Sequence, residues 1–145
     1  MEDKQHYKKL ENMYLASPLN DFYGETISIS NSYAEVEIEV KEAFFHAAQA
    51  VHGSVYFKLL DDSAFFAANS LEKEFFVLTS SFNTYLTRPI TSGKMKAIGK
   101  VVNINRTQFI AESVVCNSDG KEIARGSGVF VRSKIPLMSV EGYST

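Results

Sequence analysis

The residues best suited to chemistry lie in one apolar segment, at the start of which stand His52 and Gly53. Asp61 and Asp62 follow about two helical turns further along. The first N–H groups of a helix have no partner within the helix and carry partial positive charge. An anion or a polarised carbonyl oxygen can therefore bind over Gly53, where the missing side chain allows a close approach. The two carboxylates are candidate bases or nucleophiles.

The segment after His52 is expected to be a long helix that is apolar around most of its circumference. Its polar residues share one narrow arc, interrupted by Phe65; they are Ser54, Lys58, Asp61, Asp62 and Asn69. A helix of this kind must be covered by other elements, and a sheet wrapped around it would do so. Packing alone therefore explains its aromatic residues.

The rest of the chain predicts an N-terminal helix and six strands. Helical spacing of apolar residues predicts a helix over Lys4–Ala16 that ends at Pro18. Strands are expected at Gly24–Ser30, Ala34–Val40, Phe75–Thr87, Lys94–Arg106, Gln108–Cys116 and Glu122–Arg132. One long helix between two strands and four later ones indicates an α+β fold in which the sheet packs on the helix.

Composition limits the classes of function. The 145 residues, 45% of them hydrophobic, suit a single packed core. A net charge of -2 with scattered basic residues gives no footprint for nucleic acid. The single cysteine, Cys116, excludes an intrachain disulfide and favours the cytoplasm. We expect neither a signal peptide nor a membrane span, since the N-terminal region is charged throughout.

Several motifs resemble one family. His52, Gly53, the nine-residue step from His52 to Asp61 and the following Ala67-Ala68-Asn69-Ser70 resemble the hotdog-fold acyl-CoA thioesterases, in particular the phenylacetic-acid-degradation type. Downstream, FNTYLTRPITSGKMKAIGKVV and NSDGKEIARGSGVFV are similar to later strands and the last hairpin of that family. The resemblance implies a hotdog fold, a long central helix wrapped by an antiparallel sheet of about six strands, with an N-terminal helix before it.

This resemblance also implies a domain division and an activity. Residues 1–20 would form the N-terminal helix, residues 21–135 the hotdog thioesterase domain, and residues 136–145 a C-terminal tail. The implied activity is hydrolysis of a small acyl-CoA or aryl-CoA thioester to CoA and a carboxylic acid, without a cofactor. The three histidines and Cys116 show no metal-ligand spacing, so we expect no metal.

The catalytic residues implied by the resemblance are Gly53, His52, His46 and Asp61. The Gly53 N–H would polarise the thioester carbonyl, and Asp61 would act as nucleophile or general base. His52 would orient the helix start or the thioester, or it would serve only as a hydrogen-bonding residue there. His46 stands where the family often has Asn or Gln. Asp62 is the alternative to Asp61, and a solvent-facing role is the alternative for Asp61 itself.

Five further residues are candidate substrate-binding residues. Ser54 replaces a second glycine of the family and can cap the helix or contact substrate. Gln49 can take over the role of His46 or have a structural role in its loop. Thr79 can place a hydroxyl near the nucleophile or form a hydrogen bond within the core. Arg88 and Arg106 are candidates for the phosphates of CoA, with a solvated surface position as the alternative for each.

The proposed chemistry requires more than one subunit. Gly53 and Asp61 are eight residues apart, so their backbones are roughly 12 Å apart along one helix axis. One carbon cannot meet both within a single chain. We therefore expect an obligate homodimer, or a tetramer built from two dimers, with antiparallel central helices.

Two other functions compete with thioester hydrolysis. A non-catalytic acyl-CoA-binding protein could use the same fold, but it would not need Asp61. A hydratase or dehydratase is the third candidate, although its motifs do not appear. The acyl pocket is expected between the central helices and the sheet, with Phe57, Phe65, Tyr85 and Leu60 as candidate lining residues that core packing explains equally well.

Overall fold

The computed structural model of the protein describes residues 2–145. Helices Glu2–Ala16 (α1) and Pro18–Tyr23 (α2) come first, followed by strands Thr26–Ser30 (β1) and Tyr33–Glu39 (β2), the central helix Gly53–Asn69 (α3), and strands Phe75–Leu86 (β3), Lys94–Ile104 (β4), Gln108–Cys116 (β5) and Glu122–Pro136 (β6). Single 3-10 turns lie at Glu42–Phe44 and Leu137–Ser139. The α+β class and the six strands match the sequence prediction.

All six strands form one antiparallel sheet in the order β1-β2-β4-β5-β6-β3. The chain passes from β2 through α3 to β3, which lies at the opposite edge of the sheet and pairs with β6. β1 and β3 are therefore the two edges. The sheet packs around α3, which contacts all six strands and contacts β4 most heavily.

The central helix is buried because its apolar residues surround most of its axis. Leu59, Leu60, Ala64, Ala67 and Ala68 are fully buried. Burial of a leucine side chain contributes about 1.5–3 kcal/mol, so Leu59 and Leu60 together contribute about 3–6 kcal/mol to the stability of the core. The sequence placed Asn69 on the polar arc of the helix. It is fully buried instead, where its side chain bonds the backbone around the start of β3.

The helix and the sheet approach closely at Gly99 on β4. A Cβ atom at Gly99 would lie 2.2 Å from the carbonyl carbon and oxygen of Ser63. Ser63 in turn bonds the Leu59 carbonyl, and Ser113 on β5 donates to the Leu60 carbonyl at 2.9 Å. Small residues here let the backbone of α3 lie directly on the sheet.

The N-terminal region differs from the sequence prediction in one respect. Pro18 ends α1, as expected, but it also starts α2, because proline suits the first turn of a helix. Residue 20 therefore lies inside α2 and not at the end of a helix. The C-terminal residues pack against α1: Leu137 is fully buried, and Nδ1 of the buried His6 lies 2.6 Å from the Tyr143 hydroxyl. The division of the chain at residues 20 and 135 stays a prediction.

Candidate active site

The start of α3 is fixed by His52, which is the N-cap residue. Its Nδ1 accepts a hydrogen bond from the Ser54 N–H at 3.0 Å and lies 2.8 Å from the Ser54 hydroxyl. Since a backbone N–H can only donate, a neutral His52 carries its proton on Nε2. This geometry supports the hydrogen-bonding alternative for His52, whereas the Ser54 hydroxyl contacts the His52 ring and caps no backbone group among the described residues. It also leaves the neighbouring Gly53 N–H without a partner among residues 2–145, as the first turn of a helix requires.

Gly53 lies on a cavity of about 400 Å³ together with His46 and Arg88. Tyr56, one turn into α3, donates to the Arg88 carbonyl at 2.8 Å and holds the end of β3 against the helix. A Cβ atom at Gly53 would lie 2.9 Å from Cδ1 of Leu86, so glycine keeps this part of the cavity open. The cavity thus combines a free helix N–H with one cationic side chain.

The loop before α3 is a tight turn closed on itself. The His46 N–H bonds the Ala50 carbonyl at 2.9 Å, and Nδ1 of His46 accepts from the Ala48 N–H at 3.0 Å. Gln49 has a φ of 70°, which is uncommon for a side-chain-bearing residue and indicates a constrained backbone. Its exposed side chain lines none of the described cavities near Gly53 or Asp61.

Asp61 lies on a second cavity, of about 460 Å³, and is held by Thr79 on β3. The Thr79 hydroxyl donates to Oδ1 of Asp61 at 2.8 Å. Burial raises the pKa of the Asp61 carboxyl from 3.8 to about 6, while the Thr79 hydrogen bond opposes the rise and the nearby Asp62 adds to it. A register shift in the pairing of β3 with β6 lies directly after Thr79. Such bulges often occur beside active sites, where they re-aim a side chain.

The adjacent carboxylate, Asp62, is engaged in a separate buried network. Oδ2 of Asp62 accepts hydrogen bonds from the Tyr14 hydroxyl at 2.9 Å and from Lys58. Lys58 also donates to Oδ1 of Asn20 at 2.7 Å. These bonds connect α1 and α2 to α3, so Asp62 has a structural role, which favours Asp61 as the reactive carboxylate.

Glu25 completes this network from the residue before β1. Its side chain is fully buried, and Oε1 lies 3.6 Å from Nζ of Lys58. Burial, with the negative charge of Asp62 next in importance, raises the pKa of the Glu25 carboxyl to about 7. Removal of any one of these three charged side chains would be destabilising, because it would leave an unpaired charge buried.

The structure brings the predicted residues together in three groups. Gly53, His46 and Arg88 share one cavity, Asp61 and Thr79 share another, and His52 with Ser54 line a third. Arg106 belongs to none of these. It lies in the turn between β4 and β5, where its carbonyl accepts from Arg132 at 3.0 Å.

The expected acyl-pocket residues are also divided. Phe65 lines the Asp61 cavity, whereas Leu60 is fully buried in the core and does not line it, so the core alternative holds for Leu60. Phe57 and Tyr85 are exposed apolar residues that line neither the Asp61 cavity nor the Gly53 cavity.

Comparison with known proteins supports this assignment of the fold and the helix. The family model described as the thioesterase superfamily matches residues 48–124, more than half of the chain and all of α3. The chain belongs to the thioesterase superfamily. The family resemblance stated from the sequence is thereby confirmed.

Individual relatives of this thioesterase-superfamily protein agree. It is 31% identical over 106 residues to a protein of Archaeoglobus fulgidus whose name describes it as a candidate esterase, covering 73% of this chain and 68% of the relative. The solved structure of the PaaI protein from the phenylacetic acid degradation operon of E. coli superposes with a TM-score of 0.81 at 21% identity, covering 91% of this chain and 98% of that one.

A thioesterase family protein from Silicibacter pomeroyi gives a TM-score of 0.79 at 23% identity, covering 87% of this chain and 96% of that chain. At these identities the structural likenesses show the fold, which confirms the predicted hotdog architecture. The matched names are those of esterases and thioesterases, so hydrolases are the class of enzyme to which the family belongs.

Among residues 2–145, no helix is long and apolar enough to cross a bilayer. Within the same residues, no group of three or more His, Cys, Asp and Glu side chains is placed to hold a metal ion.

Four residues of the network around Asp62 were not predicted as site residues: Tyr14, Asn20, Glu25 and Lys58. Lys58 stands four residues before Asp62, the spacing of a helical ion pair, so this contact had a signal. Tyr14 and Glu25 come from other elements, and no local spacing connects them to α3.

Proposed function

We propose that the protein is an acyl-CoA thioesterase whose active site is shared by two subunits. Asp61 of one subunit acts as nucleophile or general base, and the Gly53 N–H of the partner subunit polarises the thioester carbonyl. The observation that carries this proposal is the carboxyl of Asp61, oriented by Thr79 at 2.8 Å beside a 460 Å³ cavity. A pKa of about 6 suits a base that must be ionised near neutral pH.

Asp61 supplies one side of the reaction. Thr79 engages Oδ1, whereas Oδ2 has no hydrogen bond to another residue of the described chain. As a general base, Oδ2 would accept a proton from the water that attacks the carbonyl carbon. As a nucleophile, Oδ2 would attack that carbon itself and form an anhydride that water then hydrolyses. In either route one water is consumed, the C–S bond breaks, and the products are a carboxylic acid and the CoA thiol.

Gly53 supplies the other side. The developing oxyanion needs a donor fixed before the reaction begins, and a helix N–H provides one without reorganisation. In one chain Gly53 and Asp61 lie on different cavities. A second copy with its α3 antiparallel would bring the Gly53 cavity of one subunit to the Asp61 cavity of the other.

The edge strand β3 supports dimer formation. It spans Phe75–Leu86 at the end of the sheet order, so one side of its backbone has no neighbouring strand in the chain. Leu78, Tyr85 and Leu86 are exposed on it. A long apolar edge strand is prone to pair with another chain. A two-fold pairing through β3 would bring Thr79 and Asp61 beside the interface.

The Arg88 side chain is proposed to bind a phosphate of CoA, because it lies on the cavity that holds Gly53. Arg106 has no place in the single-chain cavities, and a phosphate contact for it stays a prediction. The cytoplasmic location and the absence of a cofactor also stay predictions from the sequence.

The test combines thiol release with subunit mixing. Asp61→Asn removes the charge, and Gly53→Pro removes the N–H at the helix position where proline is best tolerated. Gly53→Ala is the matched control, since it adds a Cβ but keeps the N–H. Loss of one oxyanion donor is expected to lower kcat by about 10²–10³ in Gly53→Pro, with a much smaller loss in Gly53→Ala.

Mixed dimers then test whether the site is shared. In a dimer of one Asp61→Asn and one Gly53→Pro subunit, one site carries both changes and the other carries neither. Random reassortment should therefore restore about one quarter of wild-type activity. No restoration would contradict a shared site. Tight binding of acyl-CoA by the wild type without turnover would favour the non-catalytic binding protein.

A further inference from the structure

The cavity beside Asp61 has a wall that the N-terminal helices supply. Met13 of α1, with Pro18 and Leu19 of α2, lines one side. Phe65 of α3, with Phe76 and Leu78 of β3, lines the other. Residues outside the family-matched range 48–124 thus form one side of the cavity, and α3 with β3 forms the other side.

We propose that α1 and α2 form the outer wall of an acyl pocket that takes an apolar acyl group larger than acetyl, with Leu19 as a specificity-determining residue. This inference rests on the proposed function, because it requires the thioester carbonyl to lie at Asp61. It assigns to the N-terminal helices the selection of acyl length.

The positions of the cationic side chains indicate where the CoA part and the acyl part of the substrate bind. Lys58 is the one cationic side chain that lines the Asp61 cavity in the described chain, and it is bound to Asp62 and Asn20. Arg88 lines the cavity of Gly53. Phosphates therefore have a free cation on the Gly53 side and none on the Asp61 side, which leaves the Asp61 cavity for the acyl arm.

The apolar surface of the cavity fits the same occupant. Leu19 is 56% exposed, which is costly for a leucine that faces a cavity. An alkyl or aryl acyl group would cover this side chain. A cavity of about 460 Å³ falls within the range of small-molecule sites and is much larger than an acetyl group requires.

The wall is fixed to α3 beside the reactive carboxylate. The Tyr14 hydroxyl donates to Asp62 at 2.9 Å, and Asn20 joins Lys58 at 2.7 Å and the Tyr14 carbonyl at 2.6 Å. These bonds attach the junction of α1 and α2 to α3 at Asp62, the residue that follows Asp61. They therefore fix the width of the pocket. Tyr14 is therefore a positioning residue for the wall.

The experiment compares kcat/KM for acetyl-CoA, hexanoyl-CoA and octanoyl-CoA. In Leu19→Trp the octanoyl-to-acetyl ratio is expected to fall about tenfold or more, since small changes of volume in an apolar pocket have effects of this size. Leu19→Ala should raise the ratio. Leu15→Ala is the matched control, because Leu15 is 50% exposed on α1 and lines neither cavity.

Tyr14→Phe tests the positioning role, since it removes only the hydroxyl that bonds Asp62. It should reduce discrimination between octanoyl-CoA and acetyl-CoA. If both Leu19 variants keep the wild-type ratio while Asp61→Asn abolishes hydrolysis, the acyl-pocket inference is wrong and the proposed function stands.

A binding measurement gives an answer even if no acyl-CoA is hydrolysed, an outcome that would refute the proposed function. Calorimetry with the non-hydrolysable thioethers S-octyl-CoA and S-ethyl-CoA should show tighter wild-type binding of the octyl compound. Leu19→Trp should weaken octyl binding by about tenfold relative to ethyl binding. Equal affinity of the wild type for both thioethers, or no selective loss in Leu19→Trp, would overturn the inference.

Discussion

Removing the Asp61 charge should make the protein more stable at neutral and alkaline pH. Burial raises the pKa of the Asp61 carboxyl from 3.8 to about 6, so the folded protein binds a proton that the unfolded chain has released. The stabilisation linked to this proton is complete below pH 3.8 and is lost as pH rises through about 6. The shift corresponds to about 2–3 kcal/mol of unfolding free energy.

Asp61→Asn keeps the size of the side chain and an oxygen that can accept the Thr79 hydrogen bond, but it carries no charge. At pH 8 the variant is therefore expected to exceed the wild type by about 2–3 kcal/mol. At pH 3.5 the difference should largely vanish, because the folded wild type is then protonated as well. The same variant should lose thioesterase activity, which is the usual exchange of stability for function at a reactive site.

The assay is urea unfolding followed by far-ultraviolet circular dichroism, because the chain has no tryptophan. Protein concentration must be the same in every experiment, since dimer dissociation would change the apparent stability. Asp119→Asn is the control: this exposed turn residue should change stability by less than about 0.5 kcal/mol at either pH. An equal effect of Asp61→Asn at both pH values, or no gain at pH 8, would refute the argument.

Two further predictions follow from contacts in the structure. Thr79→Val removes the hydrogen bond that lowers the pKa of Asp61, so the acidic limb of kcat/KM should move up by about one pH unit. Thr79→Ser should restore it, and an unmoved limb would contradict a role for this bond. Gly99→Ala should destabilise the fold by about 1–3 kcal/mol, because the new Cβ would meet the Ser63 backbone at 2.2 Å. Urea unfolding measures the loss, and wild-type stability in this variant would show that the helix and sheet are less tightly packed.

The sequence was most informative where structure depends on local pattern. A strand was predicted over Ala34–Val40, and β2 spans Tyr33–Glu39 with alternate residues such as Val36 and Ile38 buried. Strand ends were less predictable. β6 continues to Pro136 rather than ending at Arg132, because Pro136 still pairs with Phe75 across the sheet. That pairing depends on a residue about sixty positions away, which no local window contains.

In the candidate site, too, relations within one element could be predicted, whereas contacts between distant elements could not be predicted from local pattern. Gly53 and Asp61 share one helix, so their separation could be calculated from the sequence. Thr79 was placed near Asp61 by family resemblance, and the structure provides the hydrogen bond. The contact between Tyr14 and Asp62 could not be inferred, since it joins helices 48 residues apart in the chain. Glu25 is hidden for a second reason: a fully buried glutamate contradicts the usual expectation for a charged residue.

The position of β3 links the reactivity of Asp61 to dimer formation. Thr79 sits on the strand at the open edge of the sheet, and the neighbouring Leu78 is exposed there. A partner that covers this edge would remove water from the side of Asp61 that Thr79 already occupies. Less water would strengthen both the Thr79 hydrogen bond and the pull of a nearby helix N–H on the thioester. The dimer would thus supply the missing Gly53 and also the low-dielectric surroundings in which that N–H is effective, so a free subunit would lack both.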